Sequence, residues 1–245
     1  MKHGWLRWTI GLGILGLGAA ALAGAREEKE QMSGGNPPVV VTKDAFEVPV
    51  STTGDEICGV RFNVPWISSG LPLKSAIVGI NGNARGVPVS FNLPVVANTL
   101  VPLGDGLHRV LWIEPWLGDV RGRVAIAREP SQALPPSVQM MAFLANGHEL
   151  ILNGNHDNAS TMTVVNWGTD GSADVEWWPA QYRLQRKHLD PAMVKSAHLE
   201  IGSALQIGAV SLKVRGVEPQ TAEHPQWVQF EVRVAAGDAG GAGRR

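Results

Sequence analysis

The sequence predicts an all-β protein, two β-sandwich domains in tandem behind an N-terminal transmembrane helix. Three observations lead there: an uncharged apolar run near the N-terminus, repeated period-two alternation of apolar and polar residues after it, and the absence of long helical periodicity.

The apolar run spans Trp8 to Ala25, 18 residues, which as a helix rising about 1.5 Å per residue covers about 27 Å, close to a bilayer core of about 30 Å. Lys2 and Arg7 precede it and Arg26-Glu27-Glu28-Lys29-Glu30 follows. That asymmetry places the N-terminus in the cytoplasm and the rest of the chain in the periplasm or outside the cell. The length favours a retained anchor at residues 1–25, while Ala23-Gly24-Ala25 would also serve as a signal-cleavage site. Gly16, Ala20 and Gly24 recur every four residues as a small-residue stripe on which another membrane helix could pack. Gly11-Leu12-Gly13-Ile14-Leu15-Gly16 spells the dinucleotide-binding glycine pattern, yet no strand precedes it and it lies inside the apolar run.

Lys and Arg total 21 against 22 Asp and Glu over 245 residues, a formal charge of −1. This near balance argues against nucleic acid, which requires a dense basic surface. Cys58 is the only cysteine, so no intrachain disulfide forms and packing must supply the stability. It is expected as a small buried residue, in alternation with Val60, Phe62 and Val64. Nine tryptophans accompany a single tyrosine.

Residues 26–38, charged and then rich in Ser, Gly, Asn and Pro, read as a flexible spacer. Strands follow from Val39. Cys58-Val60-Phe62-Val64 and Val87-Val89-Phe91-Leu93 alternate with polar or small residues, and Asn81-Gly82-Asn83 is expected to turn one strand into the next. Leu103-Gly104-Asp105-Gly106-Leu107-His108-Arg109-Val110, followed by the Gly118-Asp119 turn and the strand Arg123–Ala127, resembles residues of bacterial immunoglobulin-like domains, where a Leu-x-Asp-Gly-x-His-x-Val pattern enters a central strand. The resemblance covers residues 100–126. It implies an Ig-like, Greek-key sandwich for residues 39–129 and nothing about a ligand.

The prolines of Glu129–Pro136 suggest a linker at 130–136. The second β domain, 137–236, would open with a hairpin at Ala145-Asn146-Gly147-His148 and continue through strands near 161–167, 173–178, 210–214 and 228–234. Asp190-Pro191 has the acid cap and first-turn proline of a short helix running to Ala197. The tail 237–245, made of Gly, Ala and charge, is expected to be disordered.

Motifs that would carry chemistry fail on inspection, so no catalytic, cofactor or metal residue is assigned. Gly154-Asn155-His156-Asp157 copies a block of calcineurin-like phosphoesterases without the other metal-binding blocks those enzymes need, and reads as a polar turn. A zinc site from His148, His156 and Asp157 would rest on proximity within one hairpin. Blue copper needs a His and a Met close after the Cys, which Cys58 lacks. No Gly-x-Ser-x-Gly elbow occurs. Asp174 and Glu176 share a strand face beside Trp177 and Trp178, which reads as a solvated face.

The expectation is a non-catalytic, membrane-anchored accessory or scaffold subunit packing against a larger membrane complex, of which a photosynthetic or respiratory assembly is one example. The bilayer and the subunits of that complex are its partners. Trp112, Trp116, Trp177 and Trp178 are the interface candidates, and Trp66 and Trp227 are assigned to the core. The alternative is an exported glycan-binding or adhesion module that stacks sugars on the same tryptophans.

Overall fold

The computed structural model describes residues 45–234 apart from 69–73, 105, 136–137, 154–158, 180–188 and 222–224. The anchor at 1–25 with its Gly16, Ala20 and Gly24 stripe, the spacer 26–38, the Gly154–Asp157 block and the tail 237–245 lie outside the described residues. Among the described residues no helix is long and apolar enough to cross a membrane.

The chain is all-β and antiparallel, with sixteen strands among the described residues. They are β1 (Ala45–Pro49), β2 (Ser51–Ile57), β3 (Val60–Ile67), β4 (Ser75–Ala84), β5 (Val87–Val96), β6 (Leu100–Leu103), β7 (Gly106–Glu114) and β8 (Arg123–Ala133) in the first half. The second half contributes β9 (Met140–Ala145), β10 (Leu150–Leu152), β11 (Ser160–Trp167), β12 (Ala173–Pro179), β13 (Lys195–Leu199), β14 (Ala204–Ile207), β15 (Val210–Glu218) and β16 (Trp227–Val234).

The strands form three sheets, with spatial orders β1-β8-β7-β6, β14-β15-β16-β9 and β13-β12-β11-β10-β5-β4-β3-β2. The eight-stranded sheet runs through both halves of the chain. Its splice is β10, whose three residues pair Leu150 with Phe91 on one side and Met162 on the other, and Leu152 with Val89 and Ser160. Alternation explains the joint. Leu150, Leu152, Val89, Phe91 and Met162 all point to the buried face, so a register slip of one residue at β10 would turn that strip of core outward. The apolar core is correspondingly one cluster, from Val48 to Val234.

Period-two alternation places β3, β5, β15 and β16 as expected. β9 is different: all six of its residues are buried, and it lies over β5 and alongside β6. This burial explains a correction. Ala145–His148 does not close a hairpin, because β9 pairs with β16 while β10 belongs to the eight-stranded sheet. The turn, with His148 N–H donating to Ala145 O at 3.1 Å, carries the chain from one layer to the other.

Other local expectations are corrected by the register. Asn81–Ala84 continues β4, and the turn falls at Arg85-Gly86, where both residues have positive φ and Asn83 Oδ1 accepts the Gly86 N–H. The helix expected from Asp190 is a single 3-10 turn, Pro191–Met193, capped by the Asp190 carboxylate; Lys195–Leu199 is captured by β12 as a strand. β8 runs through Pro130 to Ala133, into the stretch expected as a linker. A register shift between Gly106 and His108 accommodates the proline there. Cys58 is exposed, not buried. It is the first residue of the two-residue turn between β2 and β3, where the alternation that predicted burial ends.

Candidate functional site

The most exposed apolar group among the described residues is the connection between β7 and β8. Leu117 and Val120 pair through two backbone hydrogen bonds of 3.1 and 3.0 Å around Gly118-Asp119, making a narrow ribbon beyond the sheet. Trp116 is 56 % exposed, Leu117 77 % and Val120 59 %. The Trp116 indole N–H donates to Gly118 O at 2.6 Å. Its one polar atom is therefore satisfied within the ribbon, and the ring's exposure gains nothing from water.

The base of the ribbon is tightly built. A Cβ at Gly122 would lie 2.9 Å from Glu114 O, 3.0 Å from Trp116 N and 3.1 Å from Ile67 Cδ1, so only glycine lets the ribbon close against β3. Val50 N–H donates to Gly122 O at 2.8 Å. Arg123 then ties three strands: Nε to Glu114 at 2.6 Å, Nη1 to Glu47 at 2.8 Å, and its guanidinium 5.3 Å from the Trp112 ring. These partly exposed ion pairs contribute at most about 1 kcal/mol each. Their role is orientation. Trp66, one residue before Ile67, is 51 % exposed, against its assignment to the core. It falls after a register shift in β3 that turns it to the outer face beside Ile77.

Full burial of a Val or Leu side chain is worth roughly 1.5–3 kcal/mol. Trp116, Leu117 and Val120, each more than half exposed, thus hold several kcal/mol of burial that a partner surface would release. Sequence reading singled out Trp116 but not Leu117 or Val120. Their signal was present in the Gly-Asp turn flanked by apolar residues, a hairpin tip without the usual polar flanks.

The other tryptophans are placed differently. Trp112 is half-buried under Arg123. Trp177 packs against the core and Trp178 is only 5 % exposed. Trp227 is buried, its ring 5.2 Å from that of Phe143.

Asp174 and Glu176 project from the outer face of β12. Asp174 accepts from His198 Nδ1 at 2.7 Å and from Asn166 Nδ2 at 3.1 Å, forming a polar row across β13, β12 and β11. The His198 bond, then the Asn166 bond, hold the Asp174 carboxyl below its ordinary range, and the same bond to Asp174 raises the His198 imidazole. Ser172, the hydroxyl near this row, donates to Asp170 at 2.6 Å and lowers that carboxyl. The arrangement is a cross-strand ion pair in water. Among the described residues no three His, Cys, Asp or Glu side chains gather as a metal site. His148 is half-buried, which lowers its pKa.

No protein-family model matches the chain, and no curated protein or solved structure matches it either.

Proposed function

We propose that the protein is a non-catalytic, membrane-anchored accessory or scaffold subunit on the outer side of the cytoplasmic membrane, packing against a larger membrane complex. The observation that carries this reading is the exposed apolar ribbon Trp116–Val120 on its cross-linked base. An apolar projection whose backbone is paired and whose base is tied by ion pairs suits protein contact, because less backbone freedom is lost on docking than from an unpaired loop. The Trp8–Ala25 run supplies the tether. The spacer expected at residues 26–38 would span roughly 20 Å on average as a flexible chain, which would keep the β unit near the bilayer.

The glycan-binding alternative draws less support, since Trp178 is buried and Trp177 packs inward, so that pair offers no open stacking platform.

The test is native electrophoresis and affinity capture from gently solubilised membranes of the host, with the wild type and a Trp116→Ser/Leu117→Ser variant. Wild type is expected to co-purify stoichiometrically with integral membrane proteins, and the variant to be released while keeping its melting temperature. Migration of the wild type alone refutes the reading.

A further inference from the structure

Asn81-Gly82 and Asn146-Gly147 both lie among the described residues, and both asparagine side chains are exposed. In an Asn-Gly pair the glycine nitrogen attacks the asparagine side-chain carbonyl with no neighbouring side chain in its way. Residue type and exposure therefore treat the two pairs alike. The fold separates them.

Asn81 is held in β4 between Arg61 of β3 and Ser90 of β5, with Gly82 in register with Val89. Closing a five-membered imide requires the peptide after asparagine to rotate out of the extended conformation, which in a strand paired on both sides breaks the ladder. Gly82 is also covered. A Cβ there would lie 2.6 Å from Met140 Sδ and 3.1 Å from Val60 Cγ1.

Asn146 follows β9 in the turn that crosses between layers. His148 N–H donates to Ala145 O at 3.1 Å and Asn146 N–H to Gln226 O at 2.9 Å, which anchors the turn at its base. The Asn146–Gly147 peptide lies between these anchors, and neither its carbonyl nor its N–H is hydrogen-bonded among the described residues. It can rotate while both anchors stay in place, as the central peptide of a β-turn does between types I and II. Gly147 has φ +74°, and a Cβ there would meet nothing within 4 Å.

We propose that Asn146 is a site of spontaneous deamidation, selected over Asn81 by the freedom of its following peptide. The Gly147 nitrogen bonds to Asn146 Cγ and closes a cyclic imide, while the side-chain nitrogen leaves as ammonia with the backbone proton. Water then adds at either imide carbonyl and opens the ring to aspartate or isoaspartate. The product sets a new carboxylate beside the half-buried His148 and the exposed Glu149. The isoaspartyl form also adds one carbon to the main chain between Ala145 and Leu150, which are buried in different sheets. The site is independent of the Trp116 ribbon and of the accessory-subunit reading.

The experiment is incubation of the folded, full-length protein at mildly alkaline pH in heavy-oxygen water, then peptide mapping by mass spectrometry with electron-transfer fragmentation to distinguish isoaspartate. Asn146 is expected to convert at least about tenfold faster than Asn81, the factor imposed by a strand opening that costs about 1.4 kcal/mol. That advantage should vanish in urea-unfolded protein. Gly147→Ala, whose folding is checked by its melting temperature, should slow conversion at Asn146 and leave Asn81 unchanged. Asn146 left unconverted in the folded protein, a ratio below tenfold, or the same ratio in urea overturns the proposal. An unchanged rate at Asn146 in folded Gly147→Ala overturns the imide route, and the wild-type ratio decides the question if that variant does not fold.

Discussion

Replacing Gly104 by alanine tests the tightest approach at any glycine among the described residues, and Gly147→Ala is its control. Both glycines have positive φ, +50° and +74°, so both variants bear a left-handed alanine, at roughly 1–2 kcal/mol. Both also gain about 0.4–1 kcal/mol from a less flexible unfolded chain. They differ in surroundings. A Cβ at Gly147 meets nothing within 4 Å, whereas at Gly104 it lies 1.8 Å from Cys58 O and 3.1 Å from Cys58 Cβ. Real Cβ contacts essentially never fall below 3.0 Å, so the β2–β3 and β6–β7 turns must separate by more than about 1 Å, an overpacking that typically costs about 1–3 kcal/mol. Gly104→Ala should therefore be less stable than Gly147→Ala by about 1–3 kcal/mol. At 2–4 °C per kcal/mol for a unit of this size, its melting temperature should be lower by roughly 2–12 °C. Urea unfolding with equal m-values measures the difference. Stabilities within about 0.5 kcal/mol of each other would refute the reasoning, since the contact with Cys58 would then impose no constraint.

Phe230→Ala removes a fully buried ring from the middle of β16, between Val214 and Ala142 in register, and should cost about 3–5 kcal/mol in the same assay. A loss below about 1.5 kcal/mol would mean that the sheet collapses around the cavity. The His198–Asp174 pair predicts a pH dependence with a definite sign. His198 has its pKa raised from the ordinary 6.5, so its contribution is complete below the unfolded imidazole value and is lost as pH rises through the folded one. Asp174 has its pKa lowered from 3.8, so its contribution is present above the unfolded carboxyl value and is lost as pH falls through the folded one. The pair is fully charged between those limits. In an NMR titration the His198 ring should titrate above an ordinary histidine and move back toward it in Asp174→Asn; an unchanged midpoint would show that the bond is not kept in solution.

Much of the fold was legible where one face of a strand is buried and the other is wet. β3, β5, β15 and β16 announce themselves because Val60-Phe62-Val64, Val89-Phe91-Leu93, Val210-Leu212-Val214 and Val228-Phe230-Val232 repeat at the period of the pleat. Turn chemistry was less decisive. Asn81-Gly82-Asn83 has turn residues inside β4, and Ala145–His148 has hairpin residues at a crossing between layers, because the same Asn and Gly serve wherever the backbone bends or another segment comes close, as Met140 does at Gly82. The candidate site was half legible. Trp116 stood out by its residue type, while Leu117, Val120 and Trp66 did not, since apolar residues at a strand end read equally well as core or as surface.

By itself, the sequence determined what local chemistry can determine: an all-β chain without a disulfide, a basic-then-apolar N-terminal segment, and strands set by alternation. Tertiary structure alone decided that β10 joins β5, that Trp178 is buried while Trp116 is bare, and that the Cys58 thiol stands 3.6 Å from His108, fifty residues away in the chain. The reason is physical. Alternation records only that a residue has a buried side. Which distant strand supplies the burial is settled by the joint packing of all the inner faces, a property of no single segment.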